Sequence, residues 1–498
     1  MPNLFAYIVL YSWPVLVFFL YRHMSVERAF IWSILLGYLF MPPASAAFDL
    51  PALPEFSKIE IAAVSSFIFA VAFHGLRIIR IPRNLFVLAL LGAYVTAPVL
   101  TTITNLETIS FGFIELDGIS PTQIPALVFG RLFSLIPYIM AYSLLSKFEH
   151  LADIMMAILI GALAYSVLIL FEVRFSPQLN IWIFGFFQHV FAQMVRGDGF
   201  RPIVFLYHAL WVGFFTVMAV VAAVSLFLNK NKTSTPFLLD PAHVLRPYFR
   251  HDTGFVYIYL TAYLMVVLVV SKSLGPIVLG FGLVVALLTM PRQIVLTAAA
   301  ALAFIVLSYP ILRTFGLVPT ELLIGTADIA SSDRGSSLAF RLFNEAILLD
   351  RANEKVLFGW GAGSRHLVLD PIGGRLLTIP DGQWIITLGV NGAYGFIAEM
   401  GLLTAPIFAA FYWRSIADPK IVSPFIPAYV LLIAANIVDM IPNATLTPLT
   451  MLMAGAVWRH LEDVPDRLRD KSRAAPDPLF GGTVLPYNPV AQKNRTIL

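Results

Sequence analysis

The amino-acid sequence predicts an all-α, polytopic membrane protein with about 12–14 transmembrane helices and one large polar loop. Hydrophobic residues make up 59% of the 498 residues and charged residues only 12%, with a mean hydropathy of +0.82. A soluble chain carries about 25% charged residues. The apolar residues form runs of roughly 17–28, the length that crosses a hydrocarbon core about 30 Å thick.

Thirteen apolar runs are predicted as membrane spans, and they divide the chain into four parts. The spans lie at residues 4–21, 27–43, 59–75, 84–103, 122–146, 151–172, 202–228, 254–271, 274–290, 293–312, 382–411, 421–438 and 443–458. The parts are transmembrane helices 1–10 (1–312), a large polar loop (313–380), transmembrane helices 11–13 (381–460) and a tail (461–498). The end of the tail is rich in Pro and Gly, so the tail is expected to be disordered.

Basic residues in the connections predict the orientation. Alternate connections are basic, whereas the intervening loops 44–58 and 104–121 carry several acids and only Lys58, at a span edge. By the positive-inside rule, the N-terminus lies outside and the C-terminus is cytoplasmic. The basic connections contain Arg22 and Arg28; Arg77, Arg80 and Arg83; Lys147; Lys230, Lys232, Arg246 and Arg250; Arg292; Arg414 and Lys420; and the tail from Arg459 to Arg473.

Two loops on the predicted outer face carry basic residues against this rule. Loop 173–201 is also rich in aromatic residues, which indicates a segment in the membrane interface. Loop 313–380 contains a helix-like stretch, Ser336–Arg351, followed by a glycine-rich turn at 358–365. One explanation is that long loops translocate regardless of charge, and the other is that outward basic residues hold an anionic substrate.

Three positions near span ends could carry chemistry. Pro202 suits the first turn of span 7, which predicts His208 on the same helical face as Arg201 and two turns deeper. Such a histidine either faces a polar cavity or bonds to another span. Lys272, between spans 8 and 9, either meets an anionic ligand or extends to lipid head groups.

Several soluble-enzyme chemistries are excluded. The absence of cysteine excludes disulfides, thiolate metal sites and cysteine nucleophiles. There is no glycine-rich phosphate loop ending in Gly-Lys-Ser/Thr, and the nine histidines form no metal-ligand pair at i, i+4. We therefore expect no metal, no cofactor and no nucleic-acid partner.

The order of the polar motifs resembles the O-antigen ligase and polymerase superfamily, which includes bacterial exopolysaccharide and O-antigen polymerases. A Ser-basic-small triplet opens a span, an arginine-bearing helix follows in a large loop, and a Gly-x-Gly-x-Gly turn precedes a Gly-rich span. The matching pieces are Ser271-Lys272-Ser273, Arg341, Phe358–Gly363 and Asp381–Leu402. The stretch from Arg201 to His208 resembles the exopolysaccharide branch. The likeness covers about residues 196–290 and 330–403.

This resemblance implies a metal-independent, inverting glycosyltransferase that uses a lipid-diphosphate donor. It would act on undecaprenyl-diphosphate-linked glycan at the periplasmic face of the bacterial inner membrane, which makes 313–380 a periplasmic loop. The lipid bilayer, a flippase and a chain-length regulator are the other implied partners. Guanidinium forks suit a diphosphate leaving group. The candidate diphosphate-binding residues are Arg196, Arg201, Lys272, Arg341 and Arg365.

The resemblance also bears on the base that activates the acceptor hydroxyl. Asp381 stands where ligases of the family have histidine, which favours a polymerase of repeat units over a ligase. Asp381 is the first candidate for the base, and His208 and His366 are its rivals. A transporter or flippase of lipid-linked glycan is the other class of function. Such a protein should carry charges through several spans, whereas here charge concentrates in two outer loops.

Overall fold

The computed structural model describes residues 1–43, 46–47, 50, 53–197, 199–230, 254–330 and 332–474. Within them the helices are α1 Leu4–His23, α2 Val26–Phe40, α3 Lys58–His74, α4 Leu85–Ile103, α5 Ile124–Leu144, α6 Phe148–Phe175, α7 Leu179–Phe184, α8 Ala209–Leu228, α9 Gly254–Val270, α10 Leu274–Thr289, α11 Arg292–Thr314, α12 Thr320–Ala330, α13 Ser332–Asn353, α14 Gln383–Tyr412, α15 Ile426–Asp439, α16 Pro448–Glu462 and α17 Val464–Ala474. Two short antiparallel hairpins accompany them, β1 Ile109–Phe111 with β2 Ile114–Leu116, and β3 Val195–Arg196 with β4 Gly199–Phe200.

The protein is an all-α polytopic membrane protein. In the described part of the chain, seven helices are long and apolar enough to cross a membrane, namely α1, α4, α5, α6, α8, α11 and α14. Three shorter apolar helices are α9, α10 and α15. A helix overlaps each of the thirteen predicted spans, and α8 has the most buried window of the seven, at 83%. Helix α8 packs against α6, α9, α10 and α15.

The start of α8 differs from the prediction. Residues 202–208 are not helical, and α8 begins at Ala209, so His208 precedes the helix instead of lying inside it. The reason is a set of buried partners for the extended backbone. The Glu172 carboxylate accepts from the amides of Ile203 and Val204 at 2.8 and 2.7 Å. These bonds satisfy two amides that a helix beginning at Pro202 would have left without an intrahelical partner.

Helix α14 is broken at Gly392, where φ is 65° and ψ is −169°. The glycine-rich turn fills the break. The amides of Trp360 and Gly361 donate to the carbonyls of Gly389 and Val390 at 2.8 and 2.9 Å. The amide of Ala393, on the other side of the break, donates to a carbonyl of the same segment, at residue 356. Paired backbone of this kind permits a break inside an apolar helix.

The polar loop 313–380 contains α12 and α13, and α13 extends the predicted helix at both ends. Buried Leu348 and Leu349 attach α13 to the helical core. Glu345 does not pair with Arg341, one turn before it. It accepts instead from Arg313 Nε at 2.7 Å and Tyr309 at 3.0 Å, which join α13 to the end of α11.

The first part of the predicted tail is helical. Residues 464–474 form α17, and Arg83 donates to Asp463 and Asp466 at 2.7 and 2.9 Å. These ion pairs connect the tail to the α3–α4 connection. The prediction of disorder for residues 475–498 lies outside the described residues.

Candidate functional site

A cavity of about 780 Å³ lies at the N-terminal ends of α8 and α14. The end of loop 173–201, one face of α13 and the connection between α15 and α16 complete its wall. Two arginines, two histidines and one carboxylate line it, namely Arg196, Arg341, His189, His208 and Asp381. We call it the arginine cavity. Four of the predicted site residues, from segments far apart in the sequence, therefore lie around one cavity. They are Arg196, His208, Arg341 and Asp381.

Arg341 contacts three acceptors along one edge of this cavity. Its Nε lies 3.3 Å from Asp381 Oδ2, and its Nη1 donates to Asn443 Oδ1 at 3.0 Å and to the Pro442 carbonyl at 3.3 Å. Asn443 is itself fixed, because its Nδ2 donates to the buried Asp439 carboxylate at 3.0 Å. The guanidinium is therefore held through two of its nitrogens by three acceptors, a contact that suits the several donors of an arginine.

Arg196 belongs to the β3–β4 hairpin, and Lys272 supports that hairpin. Lys272 Nζ donates to the Arg196 carbonyl at 3.3 Å. A Cβ at Gly199 would lie only 2.5 Å from this Nζ, so the hairpin approaches Lys272 closely because it has glycine there. Lys272 thus lies beside the arginine cavity, in contact with Arg196, which lines it.

Arg201 is buried behind the cavity wall. It is 6% exposed, and its Nε and Nη2 donate to Ser273 Oγ at 3.3 and 3.1 Å. Burial lowers the pKa of Arg201 to about 10, and the charges of Arg196 and Arg341 contribute to the shift. The guanidinium remains charged at neutral pH, so three arginines set a positive potential at this end of the protein.

His208 caps α8 and is neutral at pH 7. Its Nδ1 accepts from the Leu210 amide at 3.0 Å, so the neutral ring carries its proton on Nε2. Burial lowers the pKa of His208 to about 3, and the charges of Arg201, His189, Arg341 and Arg196 lower it further. With Nδ1 occupied and protonation disfavoured, His208 is suited to donate a hydrogen bond and unsuited to accept a proton.

Asp381 is the proton acceptor that the cavity offers. Burial raises the pKa of its carboxyl, and the neighbouring Arg341 charge opposes the shift. The Asp381 side chain is 35% exposed, so a substrate can reach its carboxylate. An ionised carboxylate that is paired with a guanidinium can accept a hydroxyl proton if that guanidinium turns to another anion.

Arg365 and His366 lie elsewhere. Arg365 lines a second cavity, of about 430 Å³, and its guanidinium donates to backbone carbonyls that include those of Asp117 at 2.7 Å and Glu107 at 3.1 Å. His366 packs against Gly389, and burial lowers its pKa. The glycine-rich turn therefore joins α14 to loop 104–121, and neither residue is brought to the arginine cavity.

Some lining residues were not predicted from the sequence. His189 lies against His208 with ring centroids 4.7 Å apart, and Asn443 and Thr445 come from the α15–α16 connection. The polar residues Asp439, Asn443 and Thr445 interrupt two apolar runs, and that interruption is the signal that could have identified this connection.

No protein-family model matches the chain, and no curated protein matches it.

Proposed function

We propose that the protein is a membrane glycosyltransferase that polymerises undecaprenyl-diphosphate-linked oligosaccharide repeat units. The observation that carries the proposal is the convergence of Arg196 and Arg341 on one cavity, with the buried charge of Arg201 behind them. A diphosphate leaving group gains negative charge in the transition state, and guanidinium groups that contact it stabilise that charge.

Arg341 has two roles in this proposal. In the free protein it pairs with Asp381, and the donor diphosphate competes for the same guanidinium. When Arg341 turns to the diphosphate, Asp381 is released to take the proton of the acceptor hydroxyl. The hydroxyl oxygen then attacks the anomeric carbon from the face opposite the departing diphosphate, and the configuration inverts. His208 donates a hydrogen bond from Nε2–H to a substrate oxygen.

The membrane arrangement belongs to the same proposal. About 13 helices span the bacterial inner membrane, with the N-terminus periplasmic, the C-terminus cytoplasmic and loop 313–380 periplasmic. Trp182 and Phe191 of loop 173–201 are exposed aromatic residues, and in this proposal they contact the lipid anchor at the interface. A flippase that delivers the repeat unit and a chain-length regulator are the proposed partners.

The test uses purified full-length protein in lipid vesicles, with lipid-diphosphate repeat units as the sole substrate. A ladder of longer lipid-linked chains, formed with a chelator present and no nucleotide added, supports the polymerase. Consumption that requires a separate lipid or protein acceptor would establish a ligase instead. Movement of the repeat unit across the vesicle membrane without consumption would establish a transporter.

A further inference from the structure

The second cavity, of about 430 Å³, lies between the C-terminal end of α4, loop 104–121, the start of α5 and the glycine-rich turn. Val390 and Asn391 of α14 complete its wall. Val390 follows the first residue of α14 by seven positions, which is about 10 Å along the helix at a rise of 1.5 Å per residue. Asp381 and the arginine cavity lie at the N-terminal end of the same helix. The two cavities therefore lie along the same stretch of α14.

The charges around the second cavity do not suit an anion. Arg365 lines it but is only 5% exposed, and each of its three guanidinium nitrogens donates to a backbone carbonyl. Arg131 also lines it, and its charge is matched by the buried Glu399 carboxylate, 3.5 Å from Nη1. The charged side chain that a ligand meets first is the exposed carboxylate of Asp117. This wall therefore disfavours a phosphate, unlike the wall of the arginine cavity.

The accessible polar groups of the wall include hydrogen-bond donors and acceptors. Asp117 and Gln123 are exposed, and within the described residues neither side chain has a hydrogen-bond partner. An ionised carboxylate only accepts hydrogen bonds, whereas a glutamine amide both donates and accepts them. A hydroxyl group also does both, so a ligand with several hydroxyl groups can bond to the two side chains at once.

The rest of the wall offers apolar surface and open space. Pro98, Ile119 and Leu127 line the cavity, and a Cβ added at the lining residue Gly363 would have nothing within 4 Å. The volume lies within the range of about 300–1,000 Å³ that is usual for small-molecule sites. A sugar ring has C–H groups on its faces and hydroxyl groups around its edge. Such a ring matches a wall in which apolar side chains stand beside a carboxylate and an amide.

We propose that the second cavity binds uncharged sugar residues of the glycan, while the arginine cavity holds the diphosphate. The inference rests on the proposed function, which supplies the glycan, and it adds a separate site for the part of the substrate that carries no charge. Asp117 accepts hydrogen bonds from sugar hydroxyl groups, Gln123 donates to them or accepts from them, and Leu127 packs against a ring.

Isothermal titration calorimetry of the purified full-length protein tests the proposal, with the repeat-unit glycan released from its lipid diphosphate as the probe. We expect wild type to bind this free glycan and Asp117→Ala to bind it about tenfold more weakly, the loss of one hydrogen bond to a charged group. The backbone carbonyl of residue 117 still accepts from Arg365 in this variant, so the loop keeps that contact. The matched control is Glu115→Ala, which removes a carboxylate from an exposed residue of β2 outside the cavity wall and should bind like wild type.

A second variant, Leu127→Trp, should fill the cavity and abolish binding of the free glycan, while inorganic diphosphate still binds at the arginine cavity and shows that the protein is folded. Absence of glycan binding by wild type would overturn the inference, as would equal affinity in wild type, Asp117→Ala and Leu127→Trp. Failure of the polymerase proposal would give a different result, with no ladder of products and no binding of inorganic diphosphate to wild type. Glycan binding that Leu127→Trp abolishes would support the second cavity even then.

Discussion

Arg341 of α13 and Asp381, two residues before α14, form an ion pair with 3.3 Å between Nε and Oδ2. The pair connects α13, in the middle of the polar loop, to the residue that follows the loop, at the wall of the arginine cavity. Asn443 completes it by accepting from Arg341 Nη1 at 3.0 Å. The two residues with the most specific proposed roles, diphosphate ligand and base, therefore contact each other before any substrate binds.

The first prediction concerns the shape of the cation at position 341. Arg341→Lys keeps the charge but loses the fork that contacts Asp381 and Asn443 in the free protein and the diphosphate in the complex, so we expect polymer formation to fall by roughly 10²-fold. Product ladders made by purified protein measure the effect. The matched control is Arg375→Lys, at a side chain that is 83% exposed, and it should be silent. A full ladder from Arg341→Lys would remove this residue from the diphosphate site.

The second prediction concerns Asp381 as the base. Asp381→Asn should reduce the polymerisation rate by roughly 10²–10⁴-fold without lowering the amount of folded protein. In wild type the rate should rise with pH through the pKa of Asp381, because only the ionised carboxylate accepts a proton. Since burial raises this pKa, the acidic limb should lie above the range of an ordinary aspartate.

Asp370→Asn is the control for that measurement, because Asp370 lies in the same polar loop and pairs with the exposed Arg375. It should keep both the rate and the pH profile of wild type. If Asp381→Asn retains the wild-type rate, the carboxylate is not the base.

The third prediction separates two roles of His208, the capping of α8 and a part in the proton transfer. His208→Asn keeps a side-chain acceptor for the Leu210 amide, whereas His208→Leu removes it. We expect the leucine variant to lose about 1 kcal/mol of stability and the asparagine variant to lose little, by thermal unfolding in detergent. The asparagine variant should also retain most polymer formation. Loss of polymer as severe as in Asp381→Asn would instead assign the proton transfer to His208.

The helices were predictable because long apolar runs report directly on burial in lipid or in a helical core. The start of α8 was not predictable, because it depends on Glu172, a residue 30 positions before Pro202 that holds the amides of the extended segment. A sequence pattern records local preferences, and Pro202 favours a helix locally. The bonds that override this preference come from another helix.

The candidate site was predictable in part for a related reason. Basic residues in loops on the predicted outer face, where the positive-inside rule expects few, identified Arg196, Arg201 and Arg341. These three come together in the structure. The same criterion selected Arg365, which instead donates to backbone carbonyls of loop 104–121. An arginine that binds an anionic ligand and one that donates to backbone carbonyls look alike in the sequence, and only the fold distinguishes them.

The fourth prediction concerns the break in α14. A Cβ at Gly392 would lie 2.4 Å from the Leu357 carbonyl, and its φ of 65° disfavours other residues. Gly392→Ala should therefore destabilise the protein by about 2–3 kcal/mol, measured by thermal unfolding. The control is Gly282→Ala in α10, where nothing lies within 4 Å of the added carbon and helix propensity should rise. Equal stability of the two variants would contradict the packing of the glycine-rich turn into the break.

The last prediction concerns the orientation of the loop that supplies Arg341. The chain has no cysteine, so a single introduced thiol gives an unambiguous signal. Arg375→Cys, at an exposed position in loop 313–380, should react with an impermeant maleimide in cells whose outer membrane alone is permeabilised. Lys420→Cys, exposed between α14 and α15, should react only after the inner membrane is opened, because its connection is basic and is therefore predicted to face the cytoplasm. Protection of Arg375→Cys until the inner membrane is broken would reverse the topology. The arginine cavity would then face the cytoplasm, where a periplasmic polymerase cannot have its site.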